Sequence, residues 1–365
     1  MVLAVFLILG LTGCSSRPGP DVLTTVQPLP GATQVKVFAV TTRNRMTPDT
    51  NTYDNGKSVA SNYASLDVSI PPDHVSTQIE WPSKGKKPDP KKNFAVIGQS
   101  VLEREAFYAE VRAESPSPRK IGVYVHGYNS NFQESVYRLA QMSADGKLTA
   151  TPIAFSWPSQ GSLAGYVADK DSATYSRDYL VDLMKELTKN RAAGDVVIFG
   201  HSMGGWLVVE ALRQLKLEGR DDVLLKLKVI LAAPDIDSDL FRTQITVIGK
   251  LPDPMIILVS KDDKALEASK ILSASTARVG RLDVDDPKVQ QAALDAGIKL
   301  IDITQLHSVD SANHSRFADV AALYPALAAE DTRRQNAGNA GAFVFDAAAA
   351  TISSPFRIVS GVLRQ

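Results

Sequence analysis

The stretch Gly200-His201-Ser202-Met203-Gly204 constrains this chain most, because it stands between the apolar run 196–199 and the helix-like segment 206–212. A G-x-S-x-G in that position predicts a turn too tight for side chains at its two flanking residues, with the serine hydroxyl lifted above the edge of a sheet. Ser202 is therefore the candidate nucleophile. The bare pattern is common; its placement on strand, turn and helix makes it specific.

From residue 121 onward strands and helices alternate. Segments 121–125, 153–157, 229–232, 255–259 and 300–303 read as strands, and 132–142 as a helix. Tyr175, Tyr179, Leu180, Leu183, Met184 and Leu187 recur at helical spacing and would lay one apolar face on the sheet. This alternation predicts a mostly parallel sheet with helices on both faces. Between 35 and about 110 the signals are β-like, at 35–40, 65–70 and 94–97, and predict antiparallel strands that begin the same sheet. The 365 residues, 44% of them hydrophobic, suffice for a large core. Lys+Arg and Asp+Glu both number 40, so no overall field favours nucleic acid as a partner. The Lys-rich run 84–92 reads as a solvated loop.

At the N-terminus, residues 2–10 form an apolar run without Lys or Arg, followed by Leu11-Thr12-Gly13-Cys14. The run is too short to span a bilayer and fits the apolar region of a signal peptide. Leu-Thr-Gly-Cys resembles the lipobox of bacterial lipoproteins, which implies cleavage before Cys14 and acylation of its thiol. Cys14 is the sole cysteine, so no disulfide is expected. The expected organisation is a signal peptide at 1–13, a lipidated tether at 14–34, one domain at 35–325 and a low-complexity flexible tail at 326–365. Membrane attachment through Cys14 would place the domain at the periplasmic or extracytoplasmic face of the cell envelope.

A serine hydroxyl needs a base within reach and an acid to orient that base. Downstream of an elbow of this kind the partners follow in the order acid, then histidine. Of five histidines, His74 and His126 precede Ser202 and His201 adjoins it, which leaves His307 and His314 after the strand 300–303. For the acid, the strand 255–259 delivers Asp262 and Asp263 at its carboxyl end, where ligands of parallel sheets bind. Asp263 is favoured over Asp262; Asp235, after Pro234, reads better as a loop or helix cap. The backbone N–H groups of Met203 and Tyr128 are the candidate oxyanion donors, the second because His126-Gly127-Tyr128-Asn129 follows the strand 121–125. Trp157, at the end of the strand 153–157, is a candidate wall for an acyl pocket, although an aromatic at a strand end is more often core. No metal or cofactor is expected, since neither His/Cys ligand spacing nor a phosphate-binding glycine loop is present in the sequence.

With these residues in place the chain resembles a bacterial α/β-hydrolase family of largely unknown function. The resemblance rests on Val123-Tyr124-Val125-His126-Gly127-Tyr128-Asn129, Phe155-Ser156-Trp157-Pro158-Ser159, Gly161-Ser162-Leu163-Ala164-Gly165-Tyr166 and Gly200 to Gly204. Leu231-Ala232-Ala233-Pro234-Asp235, Asp263-Lys264-Ala265-Leu266 and Asn313-His314-Ser315 complete it, over about 35–325. The resemblance implies the α/β-hydrolase fold, with Asp263 and His314 as partners of Ser202. The site residues together predict a serine hydrolase, esterase- or lipase-like, acting on a small acyl ester or lipid-like substrate, whereas the resemblance itself is specific for fold and site and not for substrate. The alternative expectation is a catalytically inactive hydrolase fold serving as an envelope scaffold or binding lipoprotein.

Overall fold

The computed structural model describes residues 17–115, 119–192, 194–273, 277–320 and 357–359. Ten strands form one sheet: β1 (Gln34–Arg45), β2 (Tyr53–Ser69), β3 (Ala95–Leu102), β4 (Ile121–Val125), β5 (Thr151–Ser156), β6 (Val196–His201), β7 (Leu227–Ala232), β8 (Met255–Val259), β9 (Ile298–Asp302) and β10 (Arg357–Val359). Their spatial order is β10-β9-β8-β7-β6-β4-β5-β1-β2-β3. From β1 through β5, β4, β6, β7 and β8 to β9 every pairing is parallel, while β1–β2, β2–β3 and β9–β10 are antiparallel. The expected fold is the observed one: an α/β hydrolase with a mostly parallel sheet and antiparallel N-terminal strands.

Side chains alternate across the parallel strands because the pleat has a period of two. In β4, Ile121, Val123 and Val125 join the core beneath the helices Arg177–Leu187 and Met203–Leu217, whereas Tyr124 points to the opposite core with Val136, Tyr137 and Ala140 of the helix Phe132–Asp145. Apolar side chains thus fill both faces, which explains the near-continuous apolar runs in β4, β6, β7 and β8.

The N-terminal third departs from its β-like reading in two ways. Helix Arg104–Glu114 follows β3 directly and buries Phe107, Tyr108 and Val111 on one side. The strands β1 and β2 also run far beyond the apolar segments, and their extensions pair with each other through register shifts at Thr41/Arg43 and Arg43/Arg45. Polar residues such as Asn55, Lys57 and Asn62 carry that extension and mask its strand character. In the segment read as a tail, Arg357–Val359 pairs antiparallel with β9. Cys14 and the signal-peptide segment lie outside the described residues.

The register aligns the carboxyl ends of β4, β5, β6 and β7: Val125 is opposite Phe155 and Gly200, and His201 is opposite Ala232. Every loop that bears a candidate site residue leaves from this edge. The helix Phe132–Asp145 starts there, capped at Asn131 by a reciprocal box with Glu134. Its far end is clamped by His74, whose Nδ1 lies 2.8 Å from Glu80 Oε2 and whose Nε2 lies 2.9 Å from Asp145 Oδ1.

Burial disfavours the His74 imidazolium, but the two carboxylates outweigh it and raise its pKa above the ordinary 6.5. The clamp therefore stabilises fully below about pH 6.5 and loses its contribution as pH rises through the raised value. Asp145 is itself desolvated, yet His74, the Thr77 N–H and Gln141 hold its pKa below the ordinary 3.8, so the acid limit of the clamp lies below that value. His74→Gln is expected to destabilise the fold by about 1.5–3 kcal/mol at pH 6. Calorimetry should find a smaller deficit at pH 9; equal deficits would show that the clamp is not charged.

Candidate active site

At the end of β6 the backbone turns sharply and Ser202 takes φ 55° and ψ −121°, outside the regions that L-residues favour. Such a conformation costs about 1–3 kcal/mol and persists only where its surroundings over-determine it. Here the Ser202 N–H donates to Ala232 O at 2.9 Å, and Ser202 O accepts from Gly205 N at 2.9 Å and Asp235 N at 3.1 Å. The flanking glycines are sterically required. A Cβ on Gly200 would lie 2.8 Å from Gly205 Cα, and one on Gly204 would lie 2.3 Å from both Val125 O and His126 O.

His314 and Asp263 meet as the family resemblance implies. His314 Nδ1 is 2.7 Å from Asp263 Oδ2, and the other oxygen, Oδ1, accepts from Leu266 N at 2.9 Å to cap the helix Lys264–Leu272. Asp263 is fully buried, whereas the His314 side chain remains 16% exposed. The bond fixes the proton on Nδ1 and leaves Nε2 as the basic nitrogen. Burial works against the imidazolium, but the Asp263 charge, with Asp310 and Asp235 farther away, outweighs it and raises the His314 pKa above 6.5. His201 Nε2 donates to His314 O at 3.2 Å, and the two rings pack with centroids 4.6 Å apart, which brings the His314 loop against the elbow. Among the described residues no hydrogen bond joins Ser202 Oγ to His314 Nε2. In resting hydrolases this contact is often long and tightens once substrate binds.

Asp262 has a different task. Arg316 Nη1 and Nη2 donate to its two oxygens at 2.5 and 2.9 Å, and Asn313 Nδ2 donates to Oδ2 at 2.9 Å. Arg316, together with Ser260, holds the Asp262 carboxyl below its ordinary pKa despite some desolvation. Because Asn313 and Arg316 flank His314, this pairing staples the histidine loop to the end of β8. Asp235 is buried in a third environment: it accepts from Tyr166 Oη at 2.9 Å and Ser269 Oγ at 2.7 Å, and lies 3.1 Å from Arg278 Nε. His307 is exposed.

Met203 is the first residue of its helix, so its N–H is one of the four that lack an intrahelical acceptor, at the positive end of the helix dipole. Tyr128 stands in the loop after β4, whose His126 carbonyl touches Gly204. That loop is fastened from several directions. Asn129 takes φ 58° and its N–H donates to Asp169 Oδ2 at 3.4 Å, while Ser130 N donates to Ser159 Oγ at 3.2 Å. Arg43, 1% exposed, donates from Nη2 to Ser130 O at 2.7 Å and from Nη1 to Ser159 O at 3.1 Å. Burial lowers the Arg43 pKa to about 9. Burial likewise pushes His126 down to about 3, with Arg43 adding to the effect, so this imidazole is neutral at ordinary pH.

Trp157 does not wall an open pocket. Its side chain is fully buried, stacks on His126 with centroids 4.8 Å apart, and donates from Nε1 to His126 O at 2.8 Å. An indole shut beneath the loop supports Tyr128 from below and has no face for substrate. Arg43, Asp169 and Arg278 escaped the sequence reading. A charged residue within an apolar strand such as 37–43 is the one available signal for the first; nothing local marks the other two.

A family model described as "Alpha/beta hydrolase of unknown function (DUF900)" matches residues 103–331, more than half of the chain. The chain belongs to this family. No curated protein sequence matches this DUF900 member. Among solved structures, an esterase from Pyrobaculum calidifontis is 11% identical, with 74% of this chain and 82% of that chain covered and a TM-score of 0.31. A fungal esterase from Rhizomucor miehei is also 11% identical, with 82% and 86% covered and a TM-score of 0.32. Esterase B from Lactobacillus rhamnosis is 11% identical as well, with 73% and 91% covered and a TM-score of 0.32.

For this DUF900 protein, kcat/KM is expected to rise with pH along a limb centred above 6.5, where His314 loses its proton. Asp263→Asn should move that limb to lower pH and reduce kcat by about ten-thousand-fold. Asp262→Asn should leave the limb in place and act chiefly by loosening the histidine loop. Equal losses from the two variants in a pH–rate series would contradict this division of labour.

Proposed function

We propose that the protein is a serine hydrolase of carboxylic esters working through an acyl-enzyme. The observation that carries this reading is the 2.7 Å pairing of His314 Nδ1 with buried Asp263, beside a serine held in a strained turn. Ser202 Oγ attacks the ester carbonyl while His314 Nε2 takes its proton. The N–H groups of Met203 and Tyr128 receive the oxyanion, where each such donor contributes about a hundred- to a thousand-fold to turnover. Collapse of the tetrahedral intermediate breaks the C–O bond, and the imidazolium returns its proton to the leaving alcohol. A water then attacks the acyl-serine by the same route and releases the carboxylic acid.

The substrate in this reading is a small acyl ester or a lipid-like ester. The lipobox-like Leu11-Thr12-Gly13-Cys14 supports attachment at the outer face of a bacterial membrane, through acylation of Cys14.

A fluorophosphonate probe is expected to label the wild-type protein at Ser202. Ser202→Ala should abolish labelling and His314→Ala should suppress it severely. A chain-length series of p-nitrophenyl esters then sizes the acyl site. A folded wild-type protein that takes no label would contradict the proposal and favour a scaffold built on a hydrolase fold.

A further inference from the structure

The first described residues of the chain are bound to the rim of the candidate active site. Arg17 Nη1 donates to Asn129 Oδ1 at 2.7 Å, and Nε and Nη2 donate to Glu134 Oε2 at 3.1 and 2.5 Å. The same guanidinium also donates to the carbonyls of Asn129 and Gly161. Pro18 O accepts from Asn131 Nδ2 at 2.9 Å and Gln133 Nε2 at 2.7 Å. Residues 17 and 18 are thus fastened to the loop that carries Tyr128 and to the first turn of the helix that follows it.

Cys14 precedes Arg17 by three residues, and an extended chain advances at most about 3.6 Å per residue. A lipid on Cys14 therefore enters its bilayer within about 11 Å of this rim. Arg17 and Pro18, where that distance is measured from, are held to the rim by seven hydrogen bonds.

Two helices beside the rim expose large apolar side chains. Helix Tyr166–Tyr175 starts at the site: Tyr166 bonds Asp235, and Asp169 accepts from the Asn129 N–H. Between them Val167 is 74% exposed. Helix Lys264–Leu272 contributes Ser269 to the same Asp235, and its last two residues, Ile271 and Leu272, are 71% and 66% exposed. Scattered exposed apolar residues are ordinary, but these three lie on the two helices that meet at Asp235, whose N–H holds the elbow.

We infer that the catalytic mouth faces the membrane into which Cys14 is anchored, and that the ester it cleaves belongs to a lipid resident in that bilayer. The inference rests on the serine-hydrolase reading and on acylation of Cys14, and adds the orientation and the substrate class. In this arrangement the three-residue spacing between Cys14 and Arg17 keeps the rim close to the bilayer.

Orientation is measurable without any turnover. The full chain, purified with its lipid, is placed in vesicles of phosphatidylethanolamine and phosphatidylglycerol that contain headgroup nitroxide lipid. A bimane is attached through Val167→Cys or through Leu225→Cys. Leu225 is 51% exposed and sits just before β7, which separates it from the active-site edge by about 20 Å. Quenching is expected to be several-fold stronger at position 167; equal quenching, or stronger quenching at 225, overturns the inference. A long Gly-Ser insertion between Ser15 and Ser16 should abolish the difference and lower turnover of a fluorogenic phospholipid in the vesicle several-fold. It should leave hydrolysis of soluble p-nitrophenyl butyrate unchanged. Undiminished phospholipid turnover with the insertion overturns the substrate assignment. Failure of the hydrolase reading is seen separately, as ester turnover that survives Ser202→Ala.

Discussion

Two backbones meet at Gly204 with no space for a side-chain atom between them. The first turn of the helix after the elbow rests on the carbonyls of Val125 and His126, at the end of the neighbouring strand, and a Cβ would come within 2.3 Å of both. This contact sets how far the helix N-terminus can sit from the β4 loop. It thereby sets the distance between the N–H of Met203 and that of Tyr128. The strained φ of Ser202 follows from the same closeness, because a chain leaving β6 can reach the helix only through such a turn. The Ser202 N–H donating to Ala232 O, and the N–H groups of Gly205 and Asp235 donating to Ser202 O, then hold it.

Around this backbone contact the protein assigns its buried charges to separate tasks. Adjacent carboxylates are used in opposite ways: Asp263 is fully buried against His314, while Asp262 faces Arg316 and fastens the loop. Asp235 and Arg278, 3% and 1% exposed, form a pair behind the elbow that Tyr166 and Ser269 complete. Breaking such a pair by removing one partner costs about 3–5 kcal/mol, which is why groups of this kind hold geometry well even when they add little net stability. Arg43 and Asp169 do the same for the β4 loop. Pre-organised donors of this sort are what oxyanion stabilisation requires, since no reorganisation is then needed during the reaction.

Much of this was legible in the sequence because it is written in short segments. The apolar runs of β4 and β6–β8 reveal a sheet buried on both faces, and Gly200 to Gly204 reveals the elbow, since local sterics decide both. Choosing between Asp262 and Asp263 needed the family resemblance, because both carboxylates leave the same strand end and only tertiary contacts separate their roles. Between pocket wall and core, Trp157 could not be decided from sequence: a strand end at the active edge can point up to substrate or down beneath the neighbouring loop, and one-dimensional pattern does not distinguish the two. Arg43 and Arg278 were hidden because their partners lie far along the chain, at Ser130, Ser159 and Asp235. The length of β1 and β2 was hidden because their outer parts are stabilised by pairing with each other rather than by apolar burial.

In the proposed reaction a carbon–oxygen bond forms at Ser202 during turnover. The most direct test is rapid mixing with p-nitrophenyl acetate, followed by acid quench and mass spectrometry of the peptide that contains Gly200 to Gly204. A burst of one nitrophenolate per protein and a single acetyl group on Ser202, absent in Ser202→Ala, is expected. Steady turnover with no acylated serine, or an acetyl group carried elsewhere, would contradict it.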